Sequence, residues 1–573
     1  MLGLNWIVVA IVVPMYATAA VALGRVDPIL LVPRPEWNPA AWQTSDLFAV
    51  LRDLFGGGLG KVWLRTTAFV LAATAISILV GYPVAYFLAR FSGRRRGLYL
   101  ALVLAPLWIP FMMRMLAWVG LLERDGLVNR LLSWVGISPI AWLSGRPEVV
   151  VLGLVYGYIP FFILPLFATL DQVPESTLEA GKDLGASPWQ TFLRVTLPQS
   201  RPGLLAGAAL ISLPMFGDFF TTNMLSGSPS TRMIGNEVDF YINQARMGGA
   251  RGAAITLILV VFTALLLVYY LRQLARSSRE RPLPSVERAA TTAGPVARLL
   301  RLWTWVYMLW ALIPAALAVL FSFNAGRSRS FWQGASLRWY LSDDSVFNNP
   351  ALRNALAQTL RLATATTILT VPLGLGLALG VTRWRGRVRT WGNFLVLVPL
   401  VIPELVLAVG LFFAVSELYR FLPFGTDAQV FGHVAFVLPV VVVILQARLL
   451  ALGTSFEETA MDLGASPSGA IRRVLVPLLA PALVAAAAFS LVISMDDFVL
   501  SQFLSGGESS ITVPMRLYVA ARSLSTPAIN ALATLMLFAN GCILAAAWIG
   551  LRAYRRRGLS ATDSRQVLRL ATG

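Results

Sequence analysis

Apolar runs of about twenty residues, separated by short polar stretches, recur along the whole chain. That length matches the hydrocarbon thickness of a bilayer. The pattern predicts twelve spans. Those of the first half are 4–24, 66–89, 98–121, 149–170, 202–224 and 251–271; those of the second are 302–322, 357–381, 391–416, 430–449, 481–503 and 529–551. Several contain Pro or Gly, as in LVGYPVAYF and LTVPLGLGLALG, which membrane helices tolerate where neighbours satisfy the freed backbone. The expected architecture is an all-α membrane protein of two parallel six-helix repeats, 1–275 and 299–558. A polar linker (276–298) joins them and a tail (559–573) follows.

One polar passage occurs twice. EAGKDLGASPWQTFLRVTLP (Glu179 to Pro198) returns as ETAMDLGASPSGAIRRVLVP (Glu458 to Pro477), with ten of twenty positions identical at an offset of 279 residues. The offset also pairs Gly153 with Gly432, Asp218 with Asp497, Phe219 with Phe498 and Leu225 with Leu504. LAPLWIP and LVPLVIP pair at a slightly different offset. Six spans per half give both halves the same orientation, so the pseudo-two-fold axis lies along the membrane normal.

Charge sets the orientation. RFSGRRRG (Arg90 to Gly97), RWRGRVR (Arg383 to Arg389), the segment Arg272 to Arg301 with seven Arg and two Glu, and Arg555 to Arg557 all fall on one side. The positive-inside rule makes that side the cytoplasm, together with both termini. The first span lacks the positive flank and small-residue cleavage site of a signal peptide, so a retained helix is expected. The net charge of +19 then reports topology rather than nucleic-acid binding.

Composition agrees and narrows the chemistry. The chain is 57% hydrophobic and 13% charged, about half the charged share of a soluble protein. One Cys and one His exclude an internal disulfide and a Cys/His zinc cluster. The single His433 lies in the apolar run FGHVAFVLP and reads as structural. FGGGLGKVW (Phe55 to Trp63) imitates a phosphate-binding loop but has Val62 where a magnesium-binding hydroxyl belongs. No nucleotide site is expected in this chain.

Both copies of the polar passage fall between the fourth and fifth spans. Each reads as a short helix, a Gly turn at Gly185 or Gly464, and a second helical run ending at Pro198 or Pro477. Ser187-Pro188 and Ser466-Pro467 suit an N-cap and first helical position. Glu179 and Asp183 share a helix face. Glu-Ala, a Gly six residues on, and a Pro thirteen later resemble the EAA loop of ABC importer permeases. The chain keeps that spacing at Glu179/Gly185/Pro198 and Glu458/Gly464/Pro477, with EAG and ETA as the triplets.

The resemblance implies a type I importer permease fold in a bacterial inner membrane. It implies loops 175–200 and 454–479 docked on a cytoplasmic ABC ATPase dimer, through Glu179, Asp183, Gly185, Ala186, Ser187 and Pro198 and through Glu458, Asp462, Gly464, Ala465, Ser466 and Pro477. It implies an extracytoplasmic solute-binding protein, and ATP and Mg²⁺ on the ATPase rather than on this chain. GYPVAYFLARF, LLERDGLVNRLL, LPMFGDFF, SMDDFVLSQFLSG and PAINALATL further resemble the permeases of spermidine/putrescine importers. Permeases for ferric iron, thiamine and phosphonates share the architecture. A secondary transporter of six plus six helices is the rival class, but it has no use for paired EAA loops.

Three acids fall inside expected spans: Asp218 in the fifth, Asp496 and Asp497 in the eleventh. A lone Asp at mid-membrane costs about 2.5–3.5 kcal/mol. With Phe216, Phe219 and Phe498 beside them, they are expected to line a path for a small cationic solute, with cation–π attraction of about 0.5–2 kcal/mol per ring. The alternative is that these acids bond backbone or Arg at helix interfaces. Glu404 in VIPELVL is a weaker candidate, or the cap of a helix broken after Pro403.

Overall fold

The computed structural model describes residues 2–27, 33–244, 249–277, 294–328, 331–384, 386–397, 399, 402–521 and 526–557. The tail 559–573 and most of the linker lie outside these.

Among the described residues the chain is helical but for a two-residue hairpin, Arg25–Val26 against Pro33–Arg34, and one isolated bridge between Asn324 and Ala335. Among the described residues nine helices are long and apolar enough to cross a membrane, or ten if one bent pair counts as a span. In the first half these are Asn5–Ala22, Gly58–Arg90, the bent pair, Pro147–Gln172 and Gly249–Gln273. In the second they are Pro295–Phe321, Pro350–Arg383, Thr426–Leu452, Pro467–Asp496 and Ala528–Arg552.

Four of the twelve expected spans are interrupted. Span 98–121 breaks between Trp108 and Phe111 with a bend of 84°. Span 391–416 divides into Gly386–Leu397 and Glu404–Phe413, with 398, 400 and 401 outside the described residues. The cause is proline, which removes a backbone donor and drives the preceding residue extended. Ile109 has φ −88° and ψ 125°, and the two prolines match: Pro110 at −49°, 134° and Pro403 at −53°, 135°. Span 202–224 stops at Phe216 and resumes at Phe220; span 481–503 stops at Asp496 and resumes at Val499. There an aspartate carboxylate accepts a backbone N–H of the segment that resumes, Asp218 from Thr221 and Asp497 from Ser501.

Close packing follows the duplication. A Cβ on Gly153 would lie 2.3 Å from Leu225 Cδ1, and one on Gly432 would lie 2.5 Å from Leu504 Cδ1. Only glycine lets the fourth helix of each half sit this close to the segment after the fifth, as membrane helix interfaces require.

The first helix of each half leans on the other half. Trp6 packs on Phe431 at 5.0 Å, and Tyr419 Oη donates to Val9 O at 2.6 Å. In the second half Tyr156 Oη donates to Ala311 O at 2.8 Å, and Trp303 Nε1 donates to Val80 O at 3.1 Å. The halves thus share one core rather than two.

Candidate functional site

The two polar passages fold as matching elbows. Helices Glu175–Asp183 and Ser455–Asp462 end at Gly185 (φ +80°) and Gly464 (φ +86°). This left-handed conformation costs a residue with a Cβ about 1–2 kcal/mol. Ala186 N donates to Gly181 O at 3.1 Å and Ala465 N to Ala460 O at 3.0 Å, closing the helix ends. Ser187 caps the next turn through Gln190 N at 3.3 Å, and Ser466 through Gly469 N at 3.1 Å.

Glu179, Asp183, Glu458 and Asp462 are exposed. So are two leucines that the sequence pattern did not single out: Leu184 is 89% and Leu463 84% exposed, at equivalent positions. The expectation that the second run ends at proline is corrected. It continues through one wide turn, Phe192–Thr196 or Ile471–Leu475, into the fifth helix. Pro198 and Pro477 stand second in the regular segment that follows, where the wide turn already resets the hydrogen-bond register.

Arginine holds each elbow to its own half. Arg90 Nη2 donates to Val173 O at 2.9 Å; Arg383 Nη2 donates to Gly453 O and to Glu457 Oε1, both at 2.7 Å. Arg96 pairs with Asp171 at 2.5 Å. Sequence reading assigned these arginines to topology alone. Their second role lies in contacts 70 to 83 residues away in the chain, beyond any local motif.

The four helix breaks converge where the halves meet. Asp496 Oδ1 accepts the Phe111 N–H at 2.6 Å and so caps the half-helix that starts after Pro110. Across the pseudo-axis a Cβ on Gly217, the equivalent of Asp496, would lie 2.6 Å from Pro403 Cβ. Asp218 Oδ1 accepts from Thr221 N at 2.9 Å; its Oδ2 accepts from Thr221 Oγ1 at 2.7 Å and Tyr158 Oη at 3.2 Å. Asp497 Oδ1 accepts from Ser501 N at 3.0 Å and lies 3.3 Å from His433 Nε2. Glu404 lies within electrostatic reach of Asp497 and Asp496, beside the Val499 backbone. Arg114, 3% exposed, lies over the Phe111 ring at 4.9 Å and within electrostatic reach of Asp496.

Aromatic rings close the junction. Phe219 and Phe498 sit 6.0 Å apart and are 1% and 3% exposed; Phe220, Phe503 and Tyr518 pack around them. Phe216, expected alongside, instead packs on Phe262 at 4.8 Å and Trp63 at 6.4 Å. His433 retains its structural reading in part, bonded to Ser494 at 2.8 Å and Ser501 at 3.0 Å, but it also touches an acid of the junction. Its sequence neighbourhood carries no sign of this, because Asp497 is 64 residues away on another helix.

Two matching exposed elbows, and a polar junction where two helical halves meet, are the features that the chain repeats or shares between its halves. Residues 63–277 and 370–557 match the family described as binding-protein-dependent transport system inner membrane component, and the chain belongs to that family. It is thus a transport component rather than an enzyme, from a class of importer that works with an ATPase and a binding protein.

Among its relatives is the spermidine/putrescine transport system permease protein PotB of Escherichia coli K12. It is 34% identical over 214 residues, covering 37% of this chain and 77% of the relative. PotC of the same organism is 32% identical over 225 residues, covering 39% and 83%. The inner membrane ABC transporter permease YdcU is 33% identical over 238 residues, covering 39% and 75%. Among solved structures, a bacterial ABC transporter for alginate import aligns at 21% identity with a TM-score of 0.36, covering 49% of this chain and 93% of that one.

Proposed function

We propose that the chain supplies both permease halves of an ABC importer that carries a small organic cation of the polyamine class into the cell. The observation that carries this reading is the junction itself: four carboxyl groups and one guanidinium, walled by aromatic rings, where the halves meet. A solute of several ammonium groups on a methylene chain suits acids that offset its desolvation and rings that cover its carbons. A phosphonate would meet net negative charge. The curated relatives named for spermidine and putrescine support the same class.

The path passes Asp218, Phe219, Asp496, Asp497 and Phe498, and here it is shut. An ATPase dimer seats on the elbows around Glu179, Asp183, Gly185, Ala186 and Ser187 and around Glu458, Asp462, Gly464, Ala465 and Ser466, with Leu184 and Leu463 entering its grooves. Pro198 and Pro477 carry the stroke into the fifth helices. ATP and Mg²⁺ belong to that partner. A binding protein delivers solute to the opposite face, and both termini lie with the elbows on the cytoplasmic side.

The test is uptake of labelled spermidine into liposomes holding the permease, its ATPase and its binding protein. Accumulation that requires ATP and both partners is expected. Accumulation by the permease alone, driven by an ion gradient, would place it with secondary carriers and overturn the reading.

A further inference from the structure

The four junction carboxyls are not satisfied alike. Asp218 receives three hydrogen bonds from Thr221 and Tyr158. Asp496 receives the Phe111 N–H and faces Arg114. Asp497 uses one oxygen only: Oδ1 meets Ser501 N and His433 Nε2, while Oδ2 has no donor although the side chain is 1% exposed. Glu404 is a close electrostatic neighbour of that same carboxyl group. Two neighbouring carboxylates, that of Asp497 buried and that of Glu404 half-buried, call for one positive charge between them.

Resting on the cationic-solute reading above, we propose that Glu404 and Asp497 form the subsite for one primary ammonium group of the solute, with His433 as a positioning residue. Three N–H donors suit two neighbouring carboxylates. Among the described residues no three Asp, Glu, His or Cys side chains converge as metal ligands, so the donor set suits an ammonium group rather than a metal ion. Phe498 follows Asp497 directly and, with Phe219, offers ring faces to the adjoining methylenes.

His433 is fixed at both nitrogens, by Ser494 on Nδ1 and Ser501 on Nε2. It holds Asp497 by Oδ1 and leaves Oδ2 to the ligand. The first half has Phe111 and Leu154 where the second has Glu404 and His433. The subsite therefore exists on one side of the axis only and receives one end of an extended cation.

The experiment uses the reconstituted importer with labelled spermidine, and putrescine in competition with 4-amino-1-butanol. Glu404→Gln and Asp497→Asn keep shape and lose charge. Each is expected to raise KM for spermidine about tenfold or more, the worth of one charge-assisted hydrogen bond, and to erase the preference for the diamine over the amino alcohol. Glu404→Asp should restore part of that preference. His433→Gln should raise KM without changing kcat, whereas a purely structural role would lower the amount of folded complex and leave KM alone. Unchanged KM and preference in both Glu404→Gln and Asp497→Asn, in a complex that does import spermidine, would overturn the subsite and leave the substrate class standing. Failure of the unmodified complex to import either polyamine would overturn both.

Discussion

Neighbouring acids in one short motif, Asp496 and Asp497, do different work because the backbone turns between them. Asp496 closes the helix that runs from Pro467; Asp497, at φ −64° and ψ 125°, is already extended. The first carboxylate accepts the Phe111 N–H, and the buried Arg114 lies within electrostatic reach of it. Asp496→Asn removes a negative charge within reach of that buried guanidinium and is expected to destabilise the fold. The expected result is loss of monodisperse protein after detergent extraction, measured by size-exclusion chromatography. Adding Arg114→Gln to the same chain should restore the yield, since it removes the orphaned charge. A yield that stays low in the double variant would show that Asp496 is needed for its cap alone.

At the scale of elements, the duplicated passages were legible because a polar loop stands out against an apolar chain. Their Gly turns and Ser caps are local chemistry that a short motif fully encodes. The interruptions at Pro110, Gly217 and Asp496 were not legible, and the one after Pro403 only as an alternative. Hydropathy averages over a window as long as the span, and Pro is common in intact membrane helices, as Pro160 and Pro372 show here. What decides between a kink and a break is whether a partner across the interface accepts the freed N–H groups, and Asp496 lies 385 residues from Phe111. Glu404 ranked as a weaker candidate beside the three aspartates for the same reason.

The elbows also depend on distant partners, Arg90 and Arg383, which tie them to the second helix of their own half. Arg90→Ala with Arg383→Ala removes charge-assisted bonds of about 1.5–3 kcal/mol each. The ATPase should still co-purify, because the exposed docking face is intact. Uptake per ATP hydrolysed should fall about tenfold, because the elbow then moves without its helix. Unchanged coupling would confine these arginines to topology.

Over the whole molecule the two halves are joined twice, by the linker and by their crossed first helices. Asn5–Ala22 reaches the second half through Trp6, Val9 and Met15, which packs where a Cβ on Gly410 would lie. Pro295–Phe321 reaches the first half through Trp303, Trp310 and Ala311. A tether raises the effective concentration of a contact but adds none of its own. The crossed helices and the shared junction should therefore hold the halves together without it. Residues 1–285 and 286–573, co-expressed as separate chains, are expected to co-purify and to import within about threefold of the joined protein, the loss reflecting dilution alone. Removing residues 1–22 from the first fragment should weaken co-purification strongly, because interhelical bonds in the membrane, about 0.6–2 kcal/mol each, act together with the ring contacts that helix supplies. Fragments that associate equally well without that helix would show that the junction alone joins the halves.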